Sequence, residues 1–236
     1  MTNNGGDDGQ RVLLNPEDAR TLLLRSLPPD VTDARVLEAI GKVPRERFVA
    51  PELAPYAYAD RPLPIGHGQT ISQPRIVGIM LQELALQGDE RVLDLGSGSG
   101  YQAAILANLV REVDAVELIP ELVERSRAVL TELGYENVRV HQATNELGWP
   151  QAAPYDAIVV AAASPRVPMS LVEQLAEDGR LIIPVGERSR QQELMLVERT
   201  AEGFTVTRKG ACGFVPLIGK EAFAGSEGQN PQDSRT

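Results

Sequence analysis

The residues best placed to do chemistry lie in the run Asp94-Leu95-Gly96-Ser97-Gly98-Ser99-Gly100. An apolar stretch, Arg91–Leu95, ends there, and a helical pattern begins at Tyr101. A strand, a glycine turn that lets backbone approach a ligand, and a helix behind it are the shared device of nucleotide- and nucleoside-binding α/β folds. The spacing narrows the ligand class. A dinucleotide fingerprint needs a small residue where Tyr101 stands, and a phosphate-binding P-loop needs a Lys-Ser/Thr pair that the run lacks. Asp94, at the strand's end, opposes a pyrophosphate and suits a cationic group such as the amino group of a methionine moiety. Glu117 closes the next apolar run, where a carboxylate accepts from both ribose hydroxyls. Gly96, Ser97, Gly98 and Gly100 therefore read as ligand-binding together with Asp94 and Glu117.

A turn of this kind works only if a sheet holds it. Strands are expected at Arg91–Leu95, Glu112–Val116, Val138–His141, Asp156–Val160 and Arg180–Pro184. Helices are expected at Ile76–Leu86, Tyr101–Val110, Pro120–Leu133 and Val167–Ala176. Strands that alternate with helices and are apolar throughout indicate a mostly parallel sheet covered on both faces, a Rossmann-like α/β fold. Two more strands, Glu193–Glu198 and Phe204–Lys209, flank Glu202-Gly203 and read as an antiparallel hairpin near the C-terminus. Ahead of the core, Asn15-Pro16-Glu17-Asp18 starts one helix, with an N-cap, a first-turn proline and acids in the first turn. Thr32-Asp33 starts another. The proline-rich stretch Pro44–Gln73 shows neither period and reads as a long loop, which in a compact domain is usually functional.

Composition bounds the remaining choices. Lys and Arg number 23 against 33 Asp and Glu, a net charge of −10, which disfavours nucleic acid as the partner. No apolar run is long enough to span a membrane, and Met1–Gln10 has no signal-peptide character, so a cytoplasmic location is expected. The lone Cys212 permits no internal disulfide and reads as a buried small apolar residue. Residues 1–10 and 224–236 are polar and read as disordered tails around a single domain, 11–223. Within it, 11–75 holds the first helices and the loop, and 76–223 the core and hairpin.

The segment Pro64-Ile65-Gly66-His67-Gly68-Gln69-Thr70-Ile71-Ser72-Gln73-Pro74 resembles the signature of the protein-L-isoaspartate (D-aspartate) O-methyltransferases. So do the glycine turn through Gln102, the runs Ala153–Val160 and Gly179–Gly186, and the ending Gly213-Phe214-Val215-Pro216-Leu217. The resemblance runs from about Arg20 to about Phe223, and the Gln-Thr-Ile-Ser-Gln-Pro block is its most specific part. It implies a class I methyltransferase fold, S-adenosyl-L-methionine as cofactor, no metal, and isoaspartyl-containing proteins and peptides as substrates. It further implies Ser72 as the active-site serine and Gln69, Thr70, Ile71 and Ser72 over the cofactor. A monomer is expected. The residue inventory agrees, because a carboxylate substrate is ionised at neutral pH and needs positioning rather than a base. Ser72 has a competing assignment as N-cap of the helix that follows, since Pro74 stands where a first-turn proline belongs.

Two places depart from the family pattern. Where the family carries Gly-Asp-Gly after the third strand, this chain has His141-Gln142-Ala143-Thr144-Asn145-Glu146-Leu147-Gly148-Trp149. Thr144 and Asn145 become the candidates for the adenine contact, with Glu146 beside them. Gly213 stands where an arginine is common, in the part expected to shape the substrate cleft. These departures keep two alternatives open: an O-methyltransferase dedicated to one partner peptide, and a non-catalytic S-adenosylmethionine-binding protein. His67 reads as a loop residue near the substrate or solvent, and His141 as structural.

Overall fold

A computed structural model describes residues 15–188 and 191–224; the expected tails 1–10 and 224–236 lie outside the described residues, except for Ala224. Helices α1 (Pro16–Ser26) and α2 (Ala34–Lys42) begin as their caps demand. The Asn15 side chain accepts from Asp18 N–H, and the Asp33 carboxylate accepts from Arg35 and Val36 N–H. The stretch expected as one long loop is structured. It holds two short 3-10 turns, Arg45–Phe48 and Pro51–Tyr56, and an antiparallel hairpin of β1 (Leu63–Gly66) and β2 (Gln69–Ile71). The hairpin turns through Gly66, His67 and Gly68, all at positive φ, which two of the three accept without strain because they are glycines.

After α3 (Pro74–Glu83) the chain builds β3 (Arg91–Leu95), α4 (Tyr101–Ala107), β4 (Glu112–Glu117), α5 (Pro120–Glu132), β5 (Val138–Gln142) and β6 (Tyr155–Val160). It continues through α6 (Met169–Val172), β7 (Leu175–Val185), β8 (Gln192–Thr200) and β9 (Gly203–Cys212). The seven-stranded sheet has the order β5-β4-β3-β6-β7-β8-β9. Strands β5 to β7 pair in parallel, and β8 and β9 add antiparallel, so the expected hairpin is the continuation of the main sheet. The order reverses beside β3: the chain runs outward to β5 and then returns to β6. Ligands of open α/β sheets bind at such a switch point, beyond the carboxyl ends of the strands.

Alternate residues of the central strands divide between two cores. Val92, Val113, Ala115, Ala157, Val159 and Ile182 face the helices α1 to α5. Leu93, Leu95, Val116, Ile158, Val160 and Leu181 face the other way, toward α6, the segment after β5 and the C-terminal Val215–Leu217. Cover is thus unequal. The helix expected over Val167–Ala176 shrinks to the four residues of α6, because Leu175 already pairs with Tyr155 in the sheet.

Candidate active site

One cleft of roughly 1090 Å³, counting the space at its mouth, lies over the carboxyl ends of β3, β4 and β6. Its wall includes Gln69, Thr70, Ile71 and Ser72 from the hairpin, Gly96, Ser97 and Gly98 from the glycine turn, and Glu117 from β4. Thr144 and Asn145 also line it. Ten of the sequence-derived site residues therefore meet at one cavity. Asp94 and Gly100 do not line it. Gly100 packs against Ser126 and Leu130 of α5, where a Cβ would stand 3.1 Å from each.

The turn is built by its glycines and anchored by its neighbours. Gly96, Gly98 and Gly100 all have positive φ. Gly96 and Ser97 N–H both donate to Val116 O, at 2.8 and 3.1 Å, which fastens the turn to the end of β4. Glu117 completes the fastening: one carboxylate oxygen accepts from Gly98 N–H at 2.9 Å and the other from Ile119 N–H at 2.8 Å. Each oxygen keeps lone-pair capacity for a further donor, as ribose recognition requires.

Asp94 lies behind the turn, fully buried. It accepts from Gln102 Nε2 at 2.7 Å. Burial pushes its carboxyl up to about 7; the Gln102 hydrogen bond opposes that shift and the Glu117 charge adds to it. Asp94 Oδ2, Ser97 Oγ and Gln102 Oε1 are buried and have no hydrogen-bond partner. Buried polar atoms are seldom left so, and a set of acceptors around one turn calls for a donor, ideally a cationic one. The cavity wall itself holds Glu117 and Glu146 and, among the described residues, no Lys, Arg or His. The acceptor set and the charge fit a nucleoside carrying a cationic tail.

Ser72 follows β2 and precedes α3. The N-cap position of α3 is Gln73, and no side chain of that residue caps the helix, so the cap assignment for Ser72 does not hold. Among the described residues no hydrogen bond engages the Ser72 hydroxyl, and the residue is half-buried on the cavity wall. Its position is set by Asp60, which sequence inspection missed. Asp60 accepts from Gln73 Nε2 (3.0 Å), Arg75 N–H (2.9 Å) and Arg75 Nε (2.8 Å), the residues on either side of Pro74. Burial pushes the Asp60 carboxyl upward, but the hydrogen bonds from Arg75 and Gln73 outweigh it and the net direction is down. Arg45, fully buried, holds the same segment by donating to Ala57 O and Arg61 O, and its guanidinium lies 4.7 Å from the centre of the Tyr101 ring.

The remaining residues fall where structure rather than chemistry places them. His67 is at the exposed hairpin tip. His141 stacks on Trp149 and shares a 2.7 Å hydrogen bond with the buried Asp114. Burial pushes the Cys212 thiol up to about 11. Leu118, Ile119 and Val215–Gly219 join the cavity wall without having been singled out as ligand contacts. Among the described residues no group of three or more His, Cys, Asp and Glu is arranged to hold a metal, and no helix is long and apolar enough to cross a membrane.

Comparison with known proteins gives this arrangement its kin. The family model described as protein-L-isoaspartate(D-aspartate) O-methyltransferase matches residues 23–222. Protein-L-isoaspartate O-methyltransferase 1 of Syntrophobacter fumaroxidans is 48% identical over 215 residues, 90% of this chain and 100% of that one. The protein-L-isoaspartate O-methyltransferase of Myxococcus xanthus is 50% identical over 198 residues, 83% of this chain and 93% of its own length. Among solved structures, a protein-L-isoaspartate O-methyltransferase superposes with a TM-score of 0.76 at 29% identity, covering 86% of this chain and 67% of that one. A putative protein-L-isoaspartate O-methyltransferase of Plasmodium falciparum, solved with S-adenosyl-L-homocysteine, gives 0.71 at 27% identity over 86% of this chain and 97% of that one. The switch-point cavity, the Ser72 bend and these relatives place the chain in the protein-L-isoaspartate (D-aspartate) O-methyltransferase family.

Proposed function

We propose that the chain transfers the methyl group of S-adenosyl-L-methionine to the free carboxylate of L-isoaspartyl residues in damaged proteins and peptides, the step that starts their repair. The observation that carries this reading is the meeting of the Gln69–Ser72 block with the glycine turn across one cavity whose wall holds carboxylates and no cation. Bound there, S-adenosylmethionine supplies an electrophilic methyl on a sulfonium. Glu117 is the acceptor for the ribose hydroxyls. The unpartnered oxygens of Ser97 and Gln102 on the cavity wall, with the Asp94 carboxyl buried behind them, form the acceptor set and the charge that the cationic amino-acid end requires. Thr144 and Asn145 stand at the base end. The unengaged Ser72 hydroxyl is free to donate to the substrate carboxylate and aim one of its oxygens. No residue acts as a base, because the carboxylate enters already ionised.

We further take 11–223 to be one methyltransferase domain, acting as a cytoplasmic monomer with no nucleic-acid partner; the net charge of −10 supports the last point. Incubation with methyl-labelled cofactor and paired isoaspartyl and aspartyl peptides tests the function. The expected result is label on the isoaspartyl peptide and little on its normal twin. Equal labelling, or none, would overturn it.

A further inference from the structure

One wall of the cavity runs from Ala143 to Gly148, and its middle, Thr144–Glu146, is exposed. Its first residue is tied to the sheet by Ala143 N–H donating to Glu117 O at 2.8 Å. Beyond its far end Tyr155 O–H donates to Trp149 O at 3.0 Å, and the end itself is tied by the side chain of Gln174, which is 6% exposed and does not line the cavity. Gln174 Oε1 accepts from Trp149 N–H at 2.9 Å. Its Nε2 donates to Leu147 O at 2.9 Å and to Ser170 O at 2.7 Å. The amide thus spends both N–H groups and an oxygen on backbone, and two of the three partners flank Gly148.

Gly148 fits against that amide as no other residue can. Its φ is +83°, and a Cβ there would stand 2.5 Å from Gln174 Oε1, 2.8 Å from Nε2 and 2.9 Å from Leu171 Cδ2. Glycine and amide are interlocked, and together they set where Leu147 and Gly148 stand in the cavity wall. The arrangement belongs to the segment that departs from the family's usual Gly-Asp-Gly, where no aspartate is present to fix the base end of the site.

We propose that Gln174 is a positioning residue for the cofactor: through Leu147 and Gly148 it holds the wall against which the base end of S-adenosylmethionine is bound. This rests on the reading that the cavity holds that cofactor. Gln174 touches neither Ser72 nor the segment that places it, so its loss weakens cofactor binding and leaves the use of peptide alone. A carboxylate at this position lacks the N–H donors, and an apolar side chain leaves Leu147 O and Trp149 N–H buried without partners.

The test compares Gln174→Met and the milder Gln174→Asn with the wild-type full chain. Calorimetry measures S-adenosyl-L-homocysteine binding, kinetics separates KM for cofactor from KM for an isoaspartyl peptide, and thermal unfolding is recorded without ligand. The expected result is a roughly ten-fold rise in both the homocysteine-product Kd and the cofactor KM. Peptide KM and kcat at saturating cofactor should stay within about two-fold. If the Met variant does not fold, the Asn variant carries the comparison, with a smaller change of the same kind. A folded variant with unchanged product affinity overturns the proposal, as does a uniform loss of kcat with both KM values unchanged. Failure of the wild type to bind the homocysteine product instead overturns the assignment of the cavity itself.

Discussion

Replacing Asp94 by Asn removes a charge that the fold holds unfavourably. The carboxyl is fully buried, with one hydrogen bond from Gln102 and one oxygen unpartnered. Burial carries it from 3.8 to about 7. At roughly 1.4 kcal/mol per unit, the ionised form opposes folding by about 4 kcal/mol once the pH is well above 7. The sign follows from proton counts. Between about pH 4 and pH 7 the folded chain keeps a proton that the unfolded chain has released, so wild-type stability falls as pH rises through that window. The amide of Asp94→Asn does not titrate, and it can donate to Gln102 Oε1, which has no partner. Urea unfolding of both proteins from about pH 5 to about pH 9 gives the difference, in which titrations elsewhere cancel. Of the roughly 4 kcal/mol, about 1.5 is already lost at pH 5, so the variant's advantage should grow by about 2.5 kcal/mol between pH 5 and pH 8. Added S-adenosyl-L-methionine should stabilise the wild type more than the variant, because the cationic ligand engages the charged form. A variant less stable than wild type near pH 8, or a difference flat with pH, would refute the reasoning.

Three further substitutions separate the parts of the site. Ser72→Ala should lower kcat/KM for an isoaspartyl peptide by roughly ten- to a hundred-fold while leaving unfolding free energy within about 0.5 kcal/mol, since the hydroxyl makes no internal bond; comparable kinetics would remove the serine from the mechanism. Asp60→Ala should cost about 2 kcal/mol and also depress activity, because Gln73 and Arg75 lose their shared acceptor. Its carboxyl lies below the usual range when folded, so this contribution is full above about pH 4 and fades as pH falls below it; an alanine variant equally active at neutral pH would show that Asp60 does not place Ser72. Glu117→Gln sets an N–H group against Gly98 or Ile119 N–H and should raise the cofactor Kd about ten-fold or more by calorimetry, whereas an unchanged Kd would free Glu117 of the ribose role.

The core of the site was legible because it is local. A strand, three glycines at alternate positions and two acids lie within 24 consecutive residues, from Asp94 to Glu117, and each obeys a rule of sequence spacing. What escaped is long-range. Asp60 reaches Arg75 across 15 positions and Gln174 reaches Leu147 across 27. A polar residue that serves a distant backbone leaves no periodic trace. The hairpin 63–71 was hidden by Pro64 within it and Pro62 before it, although Gly66-His67-Gly68 is a turn signal in plain view. The helix read into Val167–Ala176 shows the opposite error. Leu171, Val172 and Leu175 satisfy a helical period, yet Leu175 gains more from pairing beside Tyr155 than from extending the helix.

On the proposed reading, a cavity wall without Lys, Arg or His among the described residues also bears on what the protein excludes. Adenosine phosphates share the nucleoside and carry several negative charges. A site that grips adenosine alone would be filled by them. Here a triphosphate brings several negative charges toward Glu117 and Glu146 and meets no Lys, Arg or His in return. On that reading the acids that suit a sulfonium also oppose the phosphorylated look-alikes, and discrimination rests on repulsion as well as on fit.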